Sequence, residues 1–189
     1  MDAFLVSTAV VALAECGDKT QLLALALAAR LRRPVPIALG ILAATLLNHA
    51  AAGYVGHLLG DALTGDWQRW VLGVSFIAMA AWTLVPDKDD GTATREATSG
   101  WAAFVTTSVA FFLVEMGDKT QIATVALAAR FDLLGAVVIG TTAGMMLANA
   151  PVVWLGHTLA DRLPLRALRL AASLLFAALG VLTLAGVSL

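Results

Sequence analysis

The sequence predicts an all-α membrane protein in which six transmembrane helices form two inverted three-helix repeats. Three observations predict it. The chain has 189 residues, of which 60% are hydrophobic and 13% charged, with mean hydropathy +0.86. An average soluble domain carries about twice that charged fraction, and a chain this short has no aqueous core able to hide so much apolar surface. The apolar residues fall into six stretches of about the 20 residues that cross a bilayer as a helix. Finally, the sequence repeats itself at an offset of 100 residues.

The first stretch spans 3–30. Its N-terminus, Met-Asp-Ala-Phe, has no basic region of the kind that opens a signal peptide, so it is expected to stay as a helix. The second spans 34–60, after the turn Arg-Leu-Arg-Arg-Pro-Val-Pro at 30–36. Gly-Asp-Ala-Leu-Thr-Gly-Asp at 60–66 then leads into the third, 67–86. The polar run from Pro86 to Gly100 reads as a linker. Its acidic stretch at 87–90 is a solvated face. Beyond it lie 101–130, 133–160 and 165–187, the last two separated by Asp-Arg-Leu-Pro-Leu-Arg at 161–166. The expected organisation is an N-terminal repeat over 1–86, a cytoplasmic linker over 87–100 and a C-terminal repeat over 101–189.

The repeat is in register throughout. Glu15, Gly17, Asp18, Lys19, Thr20 and Gln21 recur as Glu115, Gly117, Asp118, Lys119, Thr120 and Gln121. Gly40, Phe76 and Thr83 match Gly140, Phe176 and Thr183. Three helices per copy is an odd number, so the second copy enters the membrane upside down, as in many secondary transporters. Eight basic residues (Arg30, Arg32, Arg33, Lys88, Arg95, Arg162, Arg166 and Arg169) fall on one side, against Arg69 and Arg130 on the other. The positive-inside rule then places the linker in the cytoplasm and both termini in the periplasm of an inner-membrane protein. The five tryptophans lie mostly near segment ends, as interfacial anchors do.

The charges inside the apolar stretches carry the chemistry. One copy of Glu-x-Gly-Asp-Lys-Thr costs on the order of 8–10 kcal/mol to insert, so its polar face must meet protein or water within the bundle. On a continuous helix Glu15 and Asp18 lie about 60° apart, with Gln21 about 60° beyond. Gly17 permits either a close helix contact or a break. The inverted repeat brings Glu115 and Asp118 to the same depth. Four carboxylates and two lysines sum to −2 when ionised, which a divalent cation neutralises.

The side-chain ligands are oxygens: Glu15, Asp18, Glu115 and Asp118, with the amides of Gln21, Gln121, Asn48 and Asn149. Such a set suits Ca²⁺ or Mn²⁺, and Mg²⁺ sheds water too reluctantly. Lys19 and Lys119 are read as counter-ions, with proton coupling as the other role. The bland alternative is a Glu15–Lys19 ion pair at i,i+4 that only glues the bundle. Pro151, close to Asn149, is expected to break the fifth segment and free the Leu147 carbonyl. Cys16 and Met116 are filler. His57 and His157, each four residues before an aspartate, read as interfacial structure.

Exporting a divalent ion from a negative-inside cell costs about 4.6 kcal/mol per 100 mV, from about 2.3 per charge. The chain has no phosphate-binding loop, so proton exchange is the fitting energy source. The duplicated Glu-x-Gly-Asp-Lys-[Ser/Thr] motif resembles that of the small cation/proton exchanger family that includes Golgi manganese/calcium transporters and bacterial manganese exporters. The resemblance implies that Glu15, Asp18, Glu115 and Asp118 form an ion path for Mn²⁺ or Ca²⁺ against H⁺. The expected partners are a divalent cation, protons, the bilayer and, as an option, a second copy in a homodimer. No resident cofactor and no nucleic acid is expected at a net charge of −1, and no nucleophile–base pair suggests an enzyme. Export of a small organic cation such as a basic amino acid, or a non-transporting assembly subunit, are the competing readings.

Overall fold

A computed structural model describes residues 2–62, 66–85, 99–155 and 165–187. The linker reading at 87–98, with Lys88 and Arg95, lies outside these residues, as do His157 and Arg162. Eight helices are described: α1 (Asp2–Glu15), α2 (Lys19–Leu31), α3 (Pro34–Ala62), α4 (Asp66–Thr83), α5 (Gly100–Glu115), α6 (Lys119–Arg130), α7 (Leu134–Leu155) and α8 (Leu165–Leu184). No strand occurs among the described residues.

Two of the expected spans are corrected. Segments 3–30 and 101–130 are not single helices. Each breaks at the motif, and α5 meets α6 at 71°. The break arises at the two motif glycines, Gly17 at φ 79° and Gly117 at φ 75°. That left-handed conformation costs an L-residue about 1–2 kcal/mol and glycine almost nothing. Asp18 and Asp118 then occupy the N-cap positions of the second half-helices, which aspartate favours, and the Asp118 carboxylate accepts from the Thr120 amide. By contrast α7 runs through Pro151 unbroken, against the expected interruption. Proline removes one backbone donor, and neighbouring helices in a bundle make that tolerable.

The helices α3 and α7 are each long and apolar enough to cross a membrane, and the bent pair α5–α6 qualifies as one span. The exterior is greasy: Leu39, Leu47, Tyr54, Ile139, Leu147 and Leu174 are exposed, as are all five tryptophans. The interior instead holds the motif charges Glu15, Asp18, Glu115, Asp118 and Lys119. This is the distribution that lipid selects and water does not.

The two copies interlock. The first helix of each packs on the long helix of the other, α1 on α7 and α5 on α3. Glycines permit the approach: a Cβ on Gly140 would meet the Phe4 carbonyl at 2.6 Å, and one on Gly40 the Phe104 carbonyl at 2.8 Å. Phe4 and Phe104 are themselves repeat mates. The counterparts α3 and α7 run antiparallel: Gly53, late in α3, faces Leu134 and Val138 at the start of α7, while Leu42 and Leu46, earlier in α3, share a cleft with Thr142, Ala143 and Met146, further along α7. The pair α4 and α8 is antiparallel too: Phe76 stacks on Phe176 at 6.5 Å, Ser173 donates to the Ala80 carbonyl late in α4, and Gly73 early in α4 faces Leu184 at the end of α8. This pair seats on α1 and α6, joining one apolar cluster around Val10, Phe76, Leu127 and Phe176. A second cluster, around Leu27, Ile41 and Phe111, joins α2, α3 and α5.

Candidate cation site

The two breaks meet in the interior. Glu15 ends α1 and Asp18 begins α2, with the Asp18 amide donating to the Glu15 carbonyl at 3.0 Å. The same bond recurs between Asp118 and Glu115 at 3.0 Å. Asp18 and Asp118 therefore sit at the positive N-terminal ends of α2 and α6, and Glu15 and Glu115 close the C-terminal ends of α1 and α5. Glu15 and Glu115 are fully buried, and Asp18 and Asp118 nearly so. Carboxylate oxygens of Glu15, Asp18 and Asp118 lie within 4.8 Å of one another.

The lysines bind across the repeat. Lys119 donates to Asp18 at 2.9 Å, and Lys19 pairs with Asp118 at 3.2 Å. The local Glu15–Lys19 pair of the bland reading does not form, because the helix ends between them. The crossed pairs tie the breaks together and offset acid repulsion. They are unequal, since the Lys119 side chain is 5% exposed and that of Lys19 is 23% exposed.

The amides divide their roles. Gln21 accepts from the Gly17 amide at 2.9 Å and donates to the Ala148 carbonyl at 3.0 Å. Gln121 accepts from Gly117 at 2.8 Å. Both glutamines thus brace the breaks. Asn149 donates to Glu15 Oε1 at 3.3 Å and to the Met145 carbonyl at 3.2 Å, and its own Oδ1 is buried without a partner. Asn48 instead donates to the Phe112 carbonyl, at 3.2 Å. Helical spacing does not single out Thr120 as a site residue, yet its hydroxyl lies 3.3 Å from both Glu115 Oε2 and Asp118 Oδ2 and donates to one at a time. Its recurrence in both motif copies is the signal that could have found it. Cys16 is not among the clustered ligand atoms, and Met116 is exposed. His57 lies 3.7 Å from Asp61 in an exposed pair.

Broken apolar helices that pool acids and lysines from two sequence copies make a buried, charge-lined centre of the kind membrane proteins use to handle cations. The chain belongs to the divalent cation/proton antiporter GDT1 family, whose model matches residues 3–91 and 103–188. It is 49% identical over 184 residues to a Vibrio cholerae serotype O1 protein named "Putative manganese exporter", covering 97% of this chain and 90% of that one. No solved structure matches.

Proposed function

We propose that the chain exports Mn²⁺ across the bacterial inner membrane in exchange for protons, with Ca²⁺ as its second ion. The observation that carries this reading is the cluster of Glu15, Asp18 and Asp118, contributed by both copies and sealed from solvent. Glu15 Oε2 and Asn149 Oδ1 have no protein partner, so oxygen lone pairs remain for a hard dication. Lys19 and Lys119 hold the aspartates in place when the ion leaves, and protons on the carboxylates replace its charge.

The topology we propose has six crossings, with each broken pair counted as one. The two repeats, 1–86 and 101–189, are inverted about the cytoplasmic linker 87–100, with both termini periplasmic. The antiparallel run of α3 and α7 supports it. Ser7 and its repeat mate Thr107 carry buried hydroxyls without partners in the first halves of α1 and α5. Membership in a transporter family weighs against a purely structural subunit.

The test is reconstitution in vesicles holding a pH-sensitive dye, with a panel of Mn²⁺, Ca²⁺, Mg²⁺ and lysine outside. Proton release on Mn²⁺ entry, weaker with Ca²⁺ and nil with lysine, is expected. Lysine-driven signal without metal response would favour the organic-cation reading.

A further inference from the structure

The 100-residue offset pairs Asn149 with His49, not with Asn48. The same offset pairs Glu15 with Glu115, and Asn149 is the residue that donates to Glu15. His49 is fully buried, and neither ring nitrogen has a hydrogen-bond partner among the described residues. Glu115 Oε1 is likewise buried and unpartnered. The adjacent Asn48 donates to the Phe112 carbonyl at 3.2 Å, which pins this turn of α3 to the last turn of α5, the helix that Glu115 ends. The repeat operation is obeyed elsewhere in the site, by the glycine–glutamine braces and the crossed lysine pairs.

A buried imidazole with both nitrogens idle is costly, and an ordered water, an ion or a functional role is what offsets such a group in native chains. The three clustered acids sit on the Glu15 side, and in this state neither Glu115 nor His49 is among the clustered ligand atoms. Applying the repeat to that cluster and to Asn149 yields Glu115, Asp118, Asp18 and His49. We propose that these four form a second, repeat-related position for the same ion, occupied in the opposite access state, in which His49 supplies a nitrogen ligand. This rests on the cation-exchange reading and adds a basis for selectivity. Mn²⁺ is the weakest binder of the first-row dications and is mainly an oxygen-site metal, but as a transition metal it accepts an imidazole nitrogen more readily than the hard ions Ca²⁺ and Mg²⁺, which take oxygen donors. The chain thereby favours Mn²⁺ over Ca²⁺ at one of two stations, although its carboxylates alone would accept either.

The experiment uses the full chain in lipid nanodiscs with Mn²⁺ as probe. Electron spin-echo modulation on the bound ion is expected to show ¹⁴N coupling that becomes ¹⁵N coupling when histidine is isotope-labelled, a readout that needs no variant. His49→Asn, which installs the repeat mate's side chain, should abolish the coupling and reduce the preference for Mn²⁺ over Ca²⁺ about tenfold in competition. A wild-type ion with no histidine coupling, together with an unchanged ratio in His49→Asn, overturns the second position and leaves the shared acid site standing. Asp118→Asn separates the two failures: it should lose Mn²⁺ binding altogether, and full binding there would sink the exchange site itself.

Discussion

Replacing Lys119 with glutamine removes the positive half of the more deeply buried crossed pair. The Lys119 and Asp18 side chains are 5% and 0% exposed and 2.9 Å apart. Breaking a buried ion pair from one side leaves an uncompensated charge and costs about 3–5 kcal/mol. For a chain of this length each kcal/mol lowers the melting temperature by about 2–4 °C, so Lys119→Gln should melt about 6–20 °C lower. Lys19→Gln disturbs a pair whose lysine is 23% exposed, so water offsets part of the same penalty and the loss should be smaller than for Lys119→Gln. The double variant Asp18→Asn/Lys119→Gln removes both charges and should recover more than half of the loss. The assay is thermal unfolding in detergent, followed by tryptophan fluorescence. Equal shifts for the two lysine variants, or a double variant less stable than Lys119→Gln alone, would refute the crossed-pair account.

The same geometry sets several other outcomes. Gly117→Ala should cost only about 1–2 kcal/mol of left-handed strain, because a Cβ there meets nothing within 4 Å; a larger loss in the melt would mean the break tolerates no side chain. Gly56→Ala drives its methyl into the Val125 carbonyl and should lower folded yield far more than Gly117→Ala on size exclusion. Thr120→Val should destabilise by about 1–2 kcal/mol, since its hydroxyl serves Glu115 and Asp118, and Thr20→Val by less than about 0.5, a contrast that paired melts would expose. Mn²⁺ at a hundred times its dissociation constant should stabilise the wild type by about 2.7 kcal/mol; the absence of a metal-dependent shift would speak against a binding site.

Cost and register made the centre of the site legible in the sequence. Buried acids in an apolar stretch must converge, and an in-register duplication says on what they converge. Glu15, Asp18 and Asp118 do meet. The breaks are not decided by sequence, because a glycine is compatible with a helix interior as well as with a turn. Only φ values of 79° and 75° choose between them. Helical spacing also points Lys19 at Glu15, four residues away. Its partner is Asp118, on the other copy, which no local period can reveal. Pro151 misleads in the opposite direction, since a bundle absorbs one missing donor. Chemical likeness suggests pairing Asn48 with Asn149, whereas the register pairs Asn149 with His49.

One quantity bears most directly on the shared site: the number of Mn²⁺ ions bound per chain, titrated by calorimetry on the wild type and on Glu15→Gln and Glu115→Gln. A single ion per wild-type chain, weakened or lost by a change in either copy, is the expected result. Two independent ions, each erased by its own copy's variant while the other persists, would contradict it.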